Sequence, residues 1–156
     1  MTKLAKLLRQ AHAIEIGAYN AYEGHWRNIK PIDRYERGRV KWIQVEELLH
    51  KEMLERMLRE VNSKPSWAQD ALLWIIGKSI SAACYVMGYK AAMWGAKIME
   101  KMGGLCYKQL AATARDEGYP AMGVDLDDMQ KAEEEHEEFF KTCLRQIKES
   151  SPRNPD

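Results

Sequence analysis

Val40-Lys-Trp-Ile43-Gln-Val-Glu-Glu47-Leu-Leu-His50-Lys-Glu-Met-Leu54-Glu-Arg-Met57-Leu-Arg-Glu-Val61 decides the fold. Its apolar residues Val40, Ile43, Leu54, Met57 and Val61 recur three and four apart, which is the core face of a bundle helix. Glu47 and His50 stand at the middle of that same face. Three other stretches repeat the arrangement. The first is Leu4, Leu8, Ala11, Glu15, Ala18, Tyr22, Trp26. The next is Met93, Ala96, Glu100, Gly103, Tyr107, Leu110. The last is Leu126, Met129, Glu133, His136, Phe140, Cys143, Ile147. Each core face is interrupted by acids or histidine near its centre.

Unpartnered buried carboxylates are very costly, so they are neutralised, paired or bound to metal. No Lys or Arg falls on these stripes near their middles, so ion pairing cannot compensate four acids at one depth. Two divalent ions would bring +4 against four carboxylates. The donor set is one Glu from each of two helices and Glu-x-x-His from each of the other two. That is the pattern of ferritin-like dinuclear carboxylate bundles. Residues three apart share a helix face, so each pair can reach the same metals. Carboxylate and imidazole together suit iron or manganese. The expected ligands are Glu15, Glu47, His50, Glu100, Glu133 and His136. A lone Glu-x-x-His is common on solvated helices; the coincidence on four apolar stripes separates this set from that bland reading. His12 fits either a hydrogen-bond donor to a ligand or an ordinary interior polar residue. Tyr107 fits either a redox relay beside the metals or a core tyrosine. His25, near a helix end, reads as solvated.

The expected fold is an all-α, ferritin-like four-helix bundle over residues 1–149, with an additional short crossover helix and a disordered tail at 150–156. The first helix spans about Lys3 to Asn28, with Pro31 in the following turn. The second runs from an N-cap at Asp33 to Val61, and Asn62 to Ser66 break the chain. The stretch Asp70 to Glu117 would be roughly 70 Å long as one helix, against roughly 35–45 Å for the others. It should break between Gly77 and Gly88, its first piece crossing the end of the bundle and its second, about Tyr89 to Arg115, entering the core. A loop at Glu117 to Gly123 leads to a last helix starting near Asp125 or Asp127 and ending about Lys148. No run alternates as a strand would, and no internal repeat is visible.

The chain has 156 residues, enough for one substantial core, and a net charge of +1 with no basic stripe, which excludes nucleic acid as an expected partner. Cys84, Cys106 and Cys143 are odd in number and widely spaced, without Cys-x-x-Cys, so a reducing, cytoplasmic compartment is expected. The N-terminus lacks the features of a signal peptide. Lys78, Lys90 and Lys97 interrupt the most apolar stretch, Ala71 to Met99, which argues against a membrane span but leaves membrane-surface contact open. The crossover Trp67 to Ile76 is tryptophan-bearing and apolar, and is a candidate wall for a substrate or a membrane-facing patch.

The first helix, Glu15-Ile-Gly-Ala-Tyr-Asn-Ala-Tyr-Glu-Gly24 with His12 before it, resembles the signature of the demethoxyubiquinone hydroxylase family. Glu47-x-x-His50, then Gly88 to Met93 with Glu100 and Tyr107, then Glu133-x-x-His136, are similar to that family's later helices. The resemblance implies a di-iron monooxygenase that uses dioxygen to hydroxylate a quinone-like aromatic ring in ubiquinone biosynthesis. It implies NADH as electron donor, and peripheral association with the inner face of a membrane. A homo-oligomer is left open. Lys78, Ser79 and Ser81 depart from the family's apolar crossover, and Lys101 replaces a commonly acidic residue. A ferritin-like protein that oxidises iron or reduces peroxide shares the same ligands; a metal-free structural bundle does not explain the buried acids.

Overall fold

The computed structural model describes residues 1–29 and 33–150; the turn expected at Pro31 lies outside them. The elements are α1 (Lys3–Asn28), α2 (Arg34–Glu60), α3 (Trp67–Met87), α4 (Tyr89–Asp116) and α5 (Pro120–Ser150). Among the described residues there is no strand. Ser150 closes α5, and the rest of the expected tail lies outside the described residues.

Helix ends follow local chemistry. Thr2 Oγ1 accepts the N–H of Ala5 at 3.1 Å, and the Glu117 carboxylate accepts that of Leu4 at 2.9 Å, so the end of α4 supplies negative charge to the start of α1. Asn62 at φ 51° and Gly118 at φ 89° turn the chain after α2 and α4. Ser63 N–H then reaches Leu58 O and Tyr119 N–H reaches Ala114 O, each at 2.8 Å, the Schellman arrangement. Pro120 opens α5, five residues before the first start expected from sequence. Proline has no N–H to lose at a first helical position, so the part of the expected Glu117–Gly123 loop from Pro120 onward is helix.

Contacts fix the directions. His12 meets Glu55 and Trp26 meets Gln44, so α1 and α2 are antiparallel. Glu100 meets His136 and Arg115 meets Asp127, so α4 and α5 are antiparallel. Leu4 meets Glu117 and Tyr22 meets Glu100, so α1 and α4 are antiparallel as well. Hence α2 and α4 run the same way, and the chain must return the whole length of the bundle between them. The short piece crossing the bundle end is therefore replaced by a full helix. With 21 residues, α3 spans ~31 Å. It lies parallel to α1, from His12 beside Asp70 to Asn28 Nδ2 donating to the Cys84 carbonyl. The break falls at Gly88, φ 80°, the later end of the expected interval.

The α1–α3 approach depends on missing side chains. A Cβ on Gly17 would stand 3.2 Å from the Leu73 carbonyl oxygen. One on Gly24 would collide with the Ser81 carbonyl, and one on Gly77 with the Gly17 carbonyl, 2.9 Å from Asn20 Cβ. Two conspicuous glycines of the first-helix signature are thus the floor on which α3 lies. Only Gly77, Ser81 and Cys84 of α3 are buried.

The polar residues noted in α3 face inward or are tied down. Ser81 sits against Gly24, Lys78 Nζ binds Glu23 at 2.6 Å, and Ser79 Oγ donates to Ile75 O. Leu72, Ile75, Ile76, Ile80, Val86 and Met87 remain exposed. By length and composition α3 could cross a membrane (mean hydropathy 1.3), yet it packs along α1 by its narrow glycine–serine stripe.

Two apolar clusters fill the bundle. One gathers Leu4, Leu8, Leu54, Met57, Leu110 and Leu126; the other gathers Ala18, Ile43, Met93, Ala96 and Phe140. The acids and histidines lie between them on all four long helices.

Gly77→Ala should lower stability by about 1–3 kcal/mol, since rigid backbone faces the added methyl and α3 must move away. Urea denaturation of this variant beside Gly95→Ala, whose added Cβ meets nothing within 4 Å, checks it: only the former should be destabilised.

Candidate metal centre

Glu15 on α1, Glu47 and His50 on α2, Glu100 on α4, and Glu133 and His136 on α5 meet in the layer between the two clusters. All six are buried. They form two overlapping groups. Glu15, Glu47, His50 and Glu133 offer ligand atoms within 4.8 Å of one another, and so do Glu47, Glu100, Glu133 and His136. Glu47 and Glu133 belong to both, as bridging carboxylates between two ions would. Each group adds one further glutamate and one histidine.

The orphaned atoms point the same way. Glu47 Oε1, Glu133 Oε1 and His50 Nδ1 are buried without hydrogen-bond partners. His50 Nδ1 is only 3.1 Å from Glu133 Oε1, but the geometry is not that of a hydrogen bond. Unpartnered acceptor atoms on residues gathered this closely fit a shared cation. His136 presents Nδ1 to Glu100 at 3.2 Å and to Glu47 at 3.5 Å. Gly103 makes room: a Cβ there would stand 3.0 Å from the carboxyl carbon of Glu133.

Surrounding residues hold the donors in place. Tyr107 Oη donates to Glu15, and Tyr22 Oη donates to Glu100. In each case a tyrosine seven residues after one glutamate binds the other, across the α1–α4 pair. The repeated Glu-x6-Tyr spacing was a signal for Tyr22, which its place on an apolar stripe disguised. Behind His136, Nε2 lies 3.0 Å from Glu46, whose carboxylate also accepts from Arg39 at 2.8 Å. With Nδ1 facing the cluster, Nε2–H donates to Glu46 and fixes the tautomer. Nothing in the local spacing marked Glu46, which is adjacent to Glu47 and reaches His136 only through the fold.

For His12 one of two open readings is selected, and for His25 the expectation changes. His12 makes no hydrogen bond to a ligand residue; its ring bridges Asp70 of α3 at 3.0 Å and Glu55 of α2 at 3.2 Å, tying three helices together. His25 is not solvated but 3% exposed, stacked on Tyr22 and Phe140.

An apolar cavity of about 370 Å³ reaches the cluster between α1 and α4, lined by Ile14, Ala18, Ile98, Met102 and Cys106 beside the acids. A neighbouring one of about 470 Å³ shares Ile14, Met102 and Cys106 with it. The crossover contributes Gln69 and Leu73 to that second cavity, whereas Trp74 is half exposed and lines neither.

The model of the family described as ubiquinone biosynthesis protein COQ7 matches residues 2–104 of the chain. The chain belongs to the COQ7 family. No individually curated relative matches it. The COQ7 match takes in Glu15, Glu47, His50 and Glu100 and stops before Tyr107, Glu133 and His136, which the fold brings to the same point.

Without metal the acids must share protons. Burial, then the Glu47 charge, pushes the Glu15 carboxyl well above its usual range. Burial, then the charges of Glu47 and Glu100, does the same to Glu133. Burial would raise Glu47 too, but the closeness of Glu15, His136 and His50 outweighs it and holds that carboxyl low. Burial disfavours charged His136, yet Glu100 and Glu47 outweigh it and push the imidazole up to about 10.

For the raised groups, stability is complete below the unfolded value and is lost as pH rises. Glu15 and Glu133 lose it above their ordinary 4.5, and His136 loses it as pH rises through about 10. Glu47 acts oppositely, but its loss comes only in acid below 4.5. Metal-free protein should therefore melt at falling temperature from about pH 5 to pH 8. Adding Fe(II) or Mn(II) should raise the melting temperature most at the alkaline end, because metal replaces the shared protons. Thermal melts with and without metal test this; a metal-independent, pH-flat melting temperature contradicts a shared site.

Proposed function

We propose that this chain is a di-iron monooxygenase that hydroxylates a quinone-like aromatic ring in ubiquinone biosynthesis. The observation that carries the reading is the pair of ligand groups sharing Glu47 and Glu133, opened to by an apolar cavity. Membership of the COQ7 family supports the pathway. The oxygen and imidazole donors suit iron, with manganese the alternative. A bound iron pair would supply the redox chemistry that activates dioxygen. One oxygen atom enters the ring and the other leaves as water, with two electrons drawn from a reductant of the NADH class.

The chain's own residues do the rest. Glu15, Glu47, His50, Glu100, Glu133 and His136 would hold the ions. Glu46, backed by Arg39, orients His136. Tyr107, buried and kept protonated first by burial and then by the Glu15 charge, holds a proton against Glu15. It is the candidate relay. The cavity between α1 and α4 admits a ring and excludes water, which strengthens every charge interaction inside. The exposed apolar face of α3, continued on α4 by Trp94, Ile98, Met102 and Leu105, supports docking on the inner face of a membrane, where an apolar-tailed quinone resides.

Iron-loaded, reduced protein given ¹⁸O₂ and a short-tailed demethoxyquinol should yield a product carrying one labelled oxygen by mass spectrometry. Glu47→Ala should lose both iron and activity. Tyr107→Phe should keep its iron but slow turnover by about tenfold or more, the loss of one hydrogen bond to a charged group. Rapid consumption of Fe(II) and peroxide without labelled product would replace this reading with that of a ferritin-like oxidase.

A further inference from the structure

The two groups of ligand atoms are matched in composition. Each has the shared Glu47 and Glu133, one further glutamate and one histidine. Each further glutamate accepts from a tyrosine, Glu15 from Tyr107 and Glu100 from Tyr22. Both histidines turn Nδ1 toward the acids. That of His136 lies 3.2 Å from Glu100, and that of His50 lies 3.1 Å from Glu133.

The match ends behind the two rings. His136 Nε2 lies 3.0 Å from Glu46 Oε2, and the same oxygen accepts from Arg39 at 2.8 Å. No carboxylate comes within ion-pair distance of His50 Nε2 among the described residues. The difference originates in the sequence. In α2 an acid directly precedes the ligand pair, Glu46-Glu47-Leu48-Leu49-His50. In α5 the corresponding position is alanine, Ala132-Glu133-Glu134-Glu135-His136, and its methyl group accepts nothing. Thus α2 supports the histidine of α5, and α5 does not return the support. An acceptor on the far N–H of a metal-bound imidazole fixes its tautomer and orientation and makes it a stronger donor. His50 is steadied by packing instead, its ring edge-on to Tyr107 at 5.7 Å between centroids. Packing holds the ring but does not choose which nitrogen carries the proton.

We propose that Glu46 makes the two metal positions unequal: the group containing His136 takes the first divalent ion, and the group containing His50 holds the second more weakly. This rests on the dinuclear reading above and adds to it an order of occupation. Glu46 is a positioning residue here, acting on the ion through His136 and held in turn by Arg39.

Titration of metal-free protein with Mn(II) tests the order. Free Mn(II) is counted by its electron paramagnetic resonance signal, and folding is checked by circular dichroism. Wild type should take up two ions in separate steps, first as an isolated ion and then as a spin-coupled pair. Glu46→Ala should weaken the first step by about tenfold or more, the usual effect of losing such a support, and bring the two steps together. Glu46→Gln keeps the shape without the charge; it should move the first step in the same direction, and it carries the test if Glu46→Ala does not fold. His50→Ala should keep the first step and lose the second, whereas His136→Ala should lose the tight step. Equal affinity for both ions in wild type, a tight step that survives His136→Ala but not His50→Ala, or Glu46 variants that titrate like wild type would overturn the proposal. Wild type that binds no Mn(II) at all would remove the dinuclear reading as well, whereas binding without this order removes the present inference alone.

Discussion

Four carboxylates buried at one level of a narrow helical core are the constraint on which this structure depends. Apolar packing alone would expel them, and among the described residues no Lys or Arg pairs with any of the four. The helices instead form two apolar clusters with the charged layer between them. The arrangement has an approximate internal symmetry. Helices α1 and α4 each bring a glutamate followed seven residues later by tyrosine, and α2 and α5 each bring Glu-x-x-His. Each tyrosine crosses to the opposite glutamate, so the two halves position each other's donors.

The same bundle needs a long return. Because α2 and α4 run in one direction, the chain between them must travel back along the whole molecule. That path is only open if α3 approaches the backbone of α1 closely, which Gly17, Gly24 and Gly77 permit. Lying on α1, α3 leaves a valley between itself and α4. Two cavities lie along this valley, one lined by Gln69 and Leu73 of α3 and one by Ile80 and Cys84; the cavity that reaches the acids lies between α1 and α4 and adjoins the first. The helix that solves the topological problem therefore also shapes the routes by which a ligand approaches. Its polar residues are spent on the bundle side or tied to neighbours, and the outward face stays apolar.

What the sequence by itself determined is which acids and histidines meet in the core, and most helix boundaries. Three-and-four periodicity says which residues share a face, and an acid on an otherwise apolar face is informative without any neighbour being known. Turn and cap residues act within a few positions, so the ends of α1 and α2 were legible locally, while the break before α4 was narrowed only to the interval from Gly77 to Gly88. Pro120 was the exception, because a proline between glycines reads equally as loop or as helix start.

Only the tertiary structure decided the course of α3, the burial of His25, the bridging of Asp70 and Glu55 by His12, and the support that Tyr22 and Glu46 give to the cluster. Each of these depends on partners distant in the chain, such as Glu46 and His136 or Tyr22 and Glu100. Helical periodicity places a side chain on a face, but it does not say which helix covers that face or how closely. That is set by helix direction and by the backbone approach that glycine allows, and both emerge only when the helices pack.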